Sequence, residues 1–339
     1  MPNPSQTAET AKKPAVSGLP QLHGQPLERN PGMPLDMDWV MSAEANSSAI
    51  ERRTRALPGR RSLKKEHQAA WLLRAVTMID LTTLSGDDTP GRVRRLCAKA
   101  RQPVRADILE TLGMAPITTG AVCVYHEMVA PAVAALAGSG IPVAAVSTGF
   151  PAGLSPYRLR VEEIGESIRA GASEIDIVIS RRHVLCGDWQ ALYDEVAQFR
   201  AACGAAHMKT ILATGELGNL RNVARASLVC MMAGADFIKT STGKESVNAT
   251  LPVSLVMARA IRDYHDRTGY RVGYKPAGGI SKAKDALTYL TLIKDELGDR
   301  WLSNDLMRIG ASSLLGDIER QLEHYAAGAY SASYRHAMG

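Results

Sequence analysis

The chain of 339 residues carries 40 Lys plus Arg against 34 Asp plus Glu, which gives a formal net charge of +6. Hydrophobic residues make up 45% of the chain, charged residues 22% and aromatic residues 5%. This is the composition of a globular protein, and it excludes the disordered, collagenous and membrane classes. The length fits either two domains or one α/β barrel of about 250 residues with tails.

Both ends of the chain differ in composition from its middle. Residues 1–45 are rich in Pro, Gly, Ser, Gln and Asn and show no periodicity, which predicts a flexible N-terminal tail. Residues 328–339 are mostly small and polar and predict a loose C-terminal tail. The folded domain is therefore expected to span residues 46–327.

The positive charge is concentrated in residues 51–74, which hold eight basic and two acidic residues. Such a segment is either a nucleic-acid-binding arm or a solvated stretch before the first core strand. No aromatic residue is interleaved with the arginines, so we favour the solvated stretch and expect no nucleic-acid partner.

Short apolar runs with β-branched residues then alternate with segments of helical period. The eight predicted strands are residues 76–84, 117–125, 142–150, 174–180, 207–214, 236–242, 271–275 and 308–313. The predicted helices include residues 157–170, 190–202, 220–233, 253–267, 282–297 and 315–325. Eight such units predict an α/β fold of the (β/α)₈ TIM-barrel type. A doubly wound open sheet is the alternative, but no G-x-G-x-x-G turn follows the first strand.

In a barrel, functional side chains lie at the C-terminal ends of the strands. The polar residues at these positions are Asp80, Asp176, Lys209, Glu216, Lys239 and Lys275. Lys239 and Lys275 occur in consecutive predicted strands, so both amines are expected near one mouth of the barrel. Burial and a neighbouring ammonium group both lower the pKa of a lysine, and a neutral lysine amine forms a Schiff base with a carbonyl group. Two snorkelling surface lysines are the alternative.

Asp176 lies between Ile175 and Ile177, so strand alternation directs its carboxylate into the barrel while the isoleucines face outward. There it could pair with the lysines and transfer protons, or form a structural ion pair.

Three stretches rich in Gly and Ser follow late strands, at residues 241–244, 277–279 and 310–313. Barrel enzymes commonly bind phosphate at such loops, which favours a phosphate site over plain tight turns.

Several other motifs are absent. Ile238 replaces the first glycine of a Walker A loop, and Ala130 replaces the second histidine of H-E-x-x-H. The eight histidines show no metal-ligand spacing, so we expect no metal and favour lysine imine chemistry over a metal-dependent aldolase. Five cysteines without a C-x-x-C pair favour a reducing compartment. No long apolar run or secretory signal is present, so a cytoplasmic location without membrane contact is expected.

Five segments together resemble the signature segments of the deoxyribose-phosphate aldolases: DFIKTSTGK, GYKPAGGI, EIDIVIS, ILATGEL and RIGASSLL. The resemblance covers roughly residues 56–327. The form of these segments in this sequence is similar to the longer type of this aldolase, which is found in animals and some bacteria. It implies a barrel that cleaves 2-deoxy-D-ribose 5-phosphate reversibly to D-glyceraldehyde 3-phosphate and acetaldehyde in deoxyribonucleoside catabolism. It also implies a homo-oligomer that needs no metal or organic cofactor.

The resemblance also implies residue roles. Lys239 would be the Schiff-base lysine, Lys275 its electrostatic partner and Asp176 a proton relay acting through water. Asp80 and Thr82 would lie near a substrate hydroxyl, with Cys123 close to the site. The phosphate-binding positions would be Gly243, Lys244, Gly278, Gly279, Ser312 and Ser313. Some members place a C-terminal tyrosine in the site, and whether Tyr330 or Tyr334 takes that role stays open.

Two alternatives remain. Another phosphate-binding barrel, such as an isomerase or a transaldolase-like lyase, would share the loops but not the paired lysine motifs. A non-catalytic RNA-binding protein would use residues 51–74 and show steeply salt-dependent affinity.

Overall fold

The computed structural model describes residues 29–60 and 63–336. In these residues eight strands alternate with helices. The strands are β1 Ile79–Thr82, β2 Ala121–Tyr125, β3 Val143–Ser147, β4 Glu174–Val178, β5 His207–Ile211, β6 Phe237–Lys239, β7 Gly273–Lys275 and β8 Ile309–Ala311. Each strand lies inside the range predicted for it, and the first predicted range also takes in the end of the preceding helix.

Thirteen α-helices are present in the same residues. They are α1 Met37–Ser42, α2 Ser47–Arg60, α3 Lys65–Thr77, α4 Pro90–Arg101, α5 Ala106–Thr111, α6 Val129–Leu136, α7 Tyr157–Arg169, α8 Arg181–Leu185, α9 Trp189–Cys203, α10 Leu220–Met232, α11 Leu251–Thr268, α12 Ala283–Leu297 and α13 Leu314–Ala327. Short 3-10 helices lie at His126–Met128, Thr214–Glu216, Asp299–Trp301 and Ser333–Arg335. The six predicted helices correspond to α7 and α9–α13.

The strands form one parallel sheet in the order β7-β6-β5-β4-β3-β2-β1-β8. Parallel bridges from Tyr274 to Met307 and from Ala277 to Gly310 join β7 to the chain around β8. These bridges bring the two outer strands together, so the sheet closes into the predicted (β/α)₈ barrel. A doubly wound open sheet would leave those strands apart.

Local sequence sets the helix ends, as α11 illustrates. The Thr250 hydroxyl accepts a hydrogen bond from the Val253 N–H, and Pro252 lies in the first turn, where no N–H partner is needed. The helix stops at Gly269, whose φ of 77° suits glycine.

The apolar core lies between the barrel and its helices. Ile175 and Ile177 of β4 point outward into this core and are fully buried. Glu174 and Asp176 point the other way, into the barrel, where they bond to lysine and arginine side chains. The predicted orientation of β4 is therefore confirmed, and the charged groups are kept apart from the apolar core.

The predicted flexible tail over residues 1–45 is wrong for residues 29–45, and residues 1–28 lie outside the described residues. Residues 37–42 form α1, in which Val40 is fully buried. The Trp39 ring stacks on Tyr264 and lies under the Arg267 guanidinium. Single anchoring side chains make these contacts, so the segment has no sequence periodicity that could have revealed it.

The loose C-terminal tail is also wrong for part of its predicted length. His336 is buried, and its Nε2 lies 2.7 Å from Glu323 Oε2 and 2.8 Å from Ser331 Oγ. These contacts fold the segment back onto α13. Residues 337–339 lie outside the described residues.

Of the basic segment 51–74, residues 51–60 lie in α2 and residues 65–74 in α3, while residues 61–62 lie outside the described residues. Arg52, Arg55, Lys64 and Lys65 are exposed, as expected of a solvated segment. Arg53 lies 3.5 Å from Asp295 and 3.3 Å from Glu296 of α12, so part of the charge is paired within the fold.

We predict that Asn30→Ala lowers the free energy of unfolding by about 2–4 kcal/mol, because buried groups would lose their partners. The Asn30 amide donates to Met231 O at 2.7 Å and to Ala235 O at 2.9 Å, and its oxygen accepts from the Tyr264 hydroxyl. Urea unfolding measures the change. Ser42→Ala, which removes an exposed hydrogen bond, should have almost no effect. Equal stability of the two variants would contradict the anchoring role.

Candidate active site

The strand register places the predicted catalytic side chains next to one another. Lys239 in β6 is paired with Lys275 in β7, and Asp176 in β4 is paired with Lys209 in β5. Paired positions in a parallel barrel project to the same side of the sheet. All four side chains point into the barrel and are buried.

Asp176 is bonded to three of the lysines. Its Oδ2 accepts hydrogen bonds from Lys239 Nζ at 2.8 Å and from Lys275 Nζ at 2.7 Å. Its Oδ1 accepts from Lys209 Nζ at 2.9 Å. The three residues predicted to be catalytic, Asp176, Lys239 and Lys275, are therefore in direct contact.

Further ion pairs continue from this centre through Asp80, Glu174 and Arg308. Lys275 Nζ lies 2.5 Å from Asp80 Oδ2, and Arg308 Nη1 lies 2.7 Å from Asp80 Oδ1. Arg308 Nη2 lies 2.9 Å from Glu174 Oε1, and Lys209 Nζ lies 2.5 Å from Glu174 Oε2.

These contacts close a ring in which carboxylates and cations alternate. Every carboxylate in it lies between two cations and every cation between two carboxylates. We call it the charge ring, and its members in order are Asp80, Arg308, Glu174, Lys209, Asp176 and Lys275. Lys239 is bonded to Asp176 from outside the ring.

The ring keeps its own members ionised. Burial alone would raise the pKa of Asp176, but the ammonium groups of Lys209, Lys239 and Lys275 outweigh it and hold that pKa well below its usual range. Burial would likewise lower the pKa of Lys275, but the carboxylates of Asp176 and Asp80 outweigh it and raise that pKa. Both groups are therefore charged at neutral pH.

Lys239 behaves in the opposite way. Burial lowers its pKa, and the neighbouring Lys275 ammonium lowers it further, against the opposing attraction of Asp176. Of the two paired lysines, Lys239 thus has the amine that loses its proton more readily. This is the state that a carbonyl nucleophile requires.

A cavity of about 430 Å³ opens beside Lys239 at the mouth of the barrel. Thr82 from the end of β1 also lines it. The predicted phosphate-binding residues form much of its remaining wall: Gly243, Lys244, Gly278, Gly279, Ser312 and Ser313. The backbone N–H groups of adjacent glycines, serine hydroxyls and a lysine are well suited to an anion.

Glu245 fixes the loop that carries Gly243 and Lys244. Its buried carboxylate accepts hydrogen bonds from the N–H groups of Thr242 and Gly243 and from the Thr242 hydroxyl. Lys244 Nζ donates to Leu84 O at 3.0 Å, which joins this loop to the loop after β1.

Arg181 joins the Glu245 loop to two further loops at the same face of the barrel. It donates to Pro151 O and Ala152 O, lies 2.6 Å from Glu216 Oε2 and lies 3.8 Å from Glu245 Oε1. Glu216, one of the polar strand-end residues, therefore lies outside the charge ring and serves this loop contact.

The remaining predicted residues fall in different places. Asp80 is a member of the ring and does not line the cavity. Cys123 is fully buried inside the barrel, and burial raises the pKa of its thiol. Tyr330 stacks on His324 of α13, while Tyr334 is 87% exposed, so neither tyrosine lines the cavity.

Sequence reasoning missed Glu174, Arg308 and Glu245, and it left Lys209 without a role. Strand period alone could have identified Glu174, because it lies two residues before Asp176 and so faces the same side. Arg308 precedes β8 directly; pairing of β8 with β1 brings it to Asp80, and the curvature of the barrel brings it to Glu174. Glu245 could have been suspected from its place next to the Gly-Lys turn.

Within the described residues, no group of three or more His, Cys, Asp or Glu side chains is arranged to hold a metal ion. No helix in that part of the chain has the length and apolar character needed to cross a membrane.

Comparison with known proteins agrees with this geometry. The family model of the DeoC/LacD family aldolases matches residues 74–317. The deoxyribose-phosphate aldolase of Mus musculus is 62% identical over 305 residues, covering 89% of this chain and 96% of the relative. The enzyme of the same name from Homo sapiens is 59% identical over 307 residues, covering 89% and 96%. The tetrameric deoxyribose phosphate aldolase from Aeropyrum pernix shares the fold, with a TM-score of 0.57 and 21% identity, covering 81% of this chain and 99% of that one.

We predict that Asp176→Asn lowers the free energy of unfolding by about 3–5 kcal/mol at pH 7, because it removes one partner of several buried ion pairs. The pKa of Asp176 is lowered on folding, so its contribution is present above the pKa of the unfolded carboxyl. It is lost as pH falls below about 4. Denaturant unfolding of wild type and variant from pH 7 downward measures both effects.

Glu162→Gln is a matched control for this change. It removes an exposed carboxylate paired with Arg158 and should cost no more than about 1 kcal/mol. A similarly small cost for Asp176→Asn would mean that the charge ring contributes little to the fold.

Proposed function

This chain belongs to the DeoC/LacD family of aldolases, and we propose that it cleaves 2-deoxy-D-ribose 5-phosphate reversibly to D-glyceraldehyde 3-phosphate and acetaldehyde. It is a lyase, related over nearly its whole length to enzymes named for this substrate. The observation that carries the proposal is Lys239, a buried amine of lowered pKa beside a cavity walled by three glycine- and serine-bearing loops.

The proposed reaction begins at Lys239. Its neutral amine attacks the aldehyde carbon of the open-chain sugar, and loss of water gives an iminium ion. The iminium at C1 withdraws electrons, so removal of the proton from the C3 hydroxyl breaks the C2–C3 bond. The triose phosphate leaves with its new aldehyde. Protonation and hydrolysis of the remaining enamine release acetaldehyde and restore the amine.

Asp176 and Lys275 are proposed to handle the protons. The Asp176 carboxylate lies 2.8 Å from the Lys239 amine, within reach of a proton on that nitrogen or on a water bound there. Lys275 shares the same carboxylate oxygen and stays charged, so it disfavours a second ammonium at Lys239. Asp80 acts on the substrate through Lys275, while Thr82 is at the cavity wall, where it can meet a hydroxyl group.

The three loops are proposed to bind the 5-phosphate. Gly278 has a φ of +83°, and a Cβ there would lie 2.6 Å from Asn248, so the turn requires glycine. Two adjacent glycines leave the backbone N–H groups open to an anion. Holding the phosphate would place the aldehyde end of the sugar toward Lys239 and keep the reacting atoms in register.

The proposal extends to context. We place the activity in deoxyribonucleoside catabolism in the cytoplasm, where five unpaired cysteines would remain reduced. We also propose a homo-oligomer. The exposed side chains of Leu154 and Leu185 offer apolar surface for such an interface, and light scattering on the purified protein would measure its mass.

We predict that borohydride added with 2-deoxyribose 5-phosphate gives a reduced adduct on Lys239, located by peptide mass mapping. Lys239→Met should abolish the adduct and lower kcat by at least about 10⁴-fold, because the covalent route is lost. Lys275→Met should keep an adduct on Lys239 and lower kcat by about 10²–10⁴-fold. An adduct on Lys275 in the wild type would reverse the two roles, and a folded protein without any adduct would exclude the imine.

We predict that Lys244→Met lowers kcat/KM for 2-deoxyribose 5-phosphate by about 10²-fold, since a charged hydrogen bond to phosphate is lost. The rate with unphosphorylated 2-deoxyribose should change less than about twofold, because that sugar has no group for Lys244 to bind. Steady-state assays with both sugars test this. An equal loss with both would place Lys244 outside the phosphate site.

A further inference from the structure

The charge ring balances its own charges. Its three carboxylates belong to Asp80, Glu174 and Asp176, and its three cations to Lys209, Lys275 and Arg308. With all six ionised the ring is neutral. A proton on Lys239 would add a seventh charge that no further carboxylate among these contacts compensates.

We propose that Glu174, Lys209 and Arg308 are positioning residues that complete this neutral ring. A proton on Lys239 would then be a positive charge without a compensating carboxylate, so Lys239 reacts as a free amine. None of the three reaches the cavity wall. They act on Lys239 through Asp176 and Lys275. The proposal rests on the function above only in taking Lys239 as the nucleophile.

Two observations show why these outer members matter. Lys209 donates a hydrogen bond to Asp176 Oδ1, so its positive charge offsets that carboxylate without Lys239. Arg308 occupies Asp80 Oδ1 and both oxygens of Glu174, so those carboxylates are also satisfied without Lys239. Without these cations, Asp80, Glu174 and Asp176 would carry excess negative charge, and that charge would hold a proton on Lys239.

Charged and titratable groups surround Lys239 from strands on every side of the barrel except β3, which contributes the apolar Ala144 and Val146. These groups are Asp80 on β1, Cys123 on β2, Glu174 and Asp176 on β4, Lys209 on β5, Lys275 on β7 and Arg308 next to β8. The Cys123 thiol has a raised pKa and stays neutral at neutral pH, so the ring supplies the charge that acts on Lys239.

The proposal makes predictions of opposite sign, which a general loss of structure would not produce. Glu174→Gln removes a negative charge, leaves the ring positive and should move the deprotonation midpoint of Lys239 to lower pH. Arg308→Met removes a positive charge and should move that midpoint to higher pH. Each shift should be about one pH unit, the order of size expected when one buried unit charge is removed in a partly screened interior.

Competitive acetylation with trace acetic anhydride between pH 6 and 11 measures this midpoint. Mass spectrometry follows the Lys239 peptide, and the exposed Lys284 serves as internal reference for the reagent. Glu174→Asp and Arg308→Lys keep the charges and should leave the midpoint within about 0.3 pH unit of wild type. Circular dichroism establishes that each variant is folded, and Lys209→Met replaces Arg308→Met if the latter is not.

A midpoint that stays in place in either folded charge-removing variant, or moves in the same direction in both, overturns the proposal. Acetylation requires no sugar and no imine, so its result is independent of the proposed function. Opposite shifts in the acetylation midpoint combined with a missing borohydride adduct would support the charge balance and reject the aldolase reaction at Lys239.

Discussion

The interaction on which the rest of the structure depends is the closed ring of alternating charges inside the barrel. Moving an ion out of water costs several kcal/mol, and one ion pair rarely recovers that cost. Here each charged group contacts two partners of opposite sign. Every group that is desolvated therefore gains two attractive interactions instead of one. The arrangement lets charged side chains replace the branched aliphatic layers that usually fill such a barrel. The ring stabilises the charged form of Lys239 least, since Lys239 bonds only to Asp176.

That ring can form only on a closed barrel of fixed register. Its members come from β1, β4, β5, β7 and the residue before β8, which are far apart in sequence. Pairing of Asp176 with Lys209 and of Lys239 with Lys275 brings neighbouring strands into contact. The salt bridges of Arg308 then join the start of β8 to Asp80 on the neighbouring β1 and to Glu174 on β4. A slip by one residue would turn these side chains into the apolar core.

Some parts of this arrangement leave a recognisable pattern in the sequence and could be predicted, and others leave none. Strands and helices leave periodic patterns, so the barrel could be predicted, as could the inward direction of Asp176. Lysines inside apolar strands are conspicuous because burial of an ammonium group is costly, so the two lysines could be predicted as well. Arg308 leaves no such signal. It lies next to a short strand, and its partners on β1 and β4 are far away in sequence, so only the tertiary structure brings them to it. The docking of Asn30 and Trp39 was missed for a related reason, since single anchors form no repeating pattern.

The ring and the loops around the cavity divide the work of the site. The ring does not line the cavity, and it sets the charge that Lys239 can carry. Glu245 fixes the loop of Thr242 and Gly243, and Arg181 joins Glu245 to Glu216 of a neighbouring loop. Substrate specificity can therefore change in the loops without disturbing the electrostatics of the amine. Conversely, changes in the ring should affect the protonation of Lys239 while leaving the phosphate loops intact. This separation explains why residues that never meet the substrate can still belong to the reacting machinery.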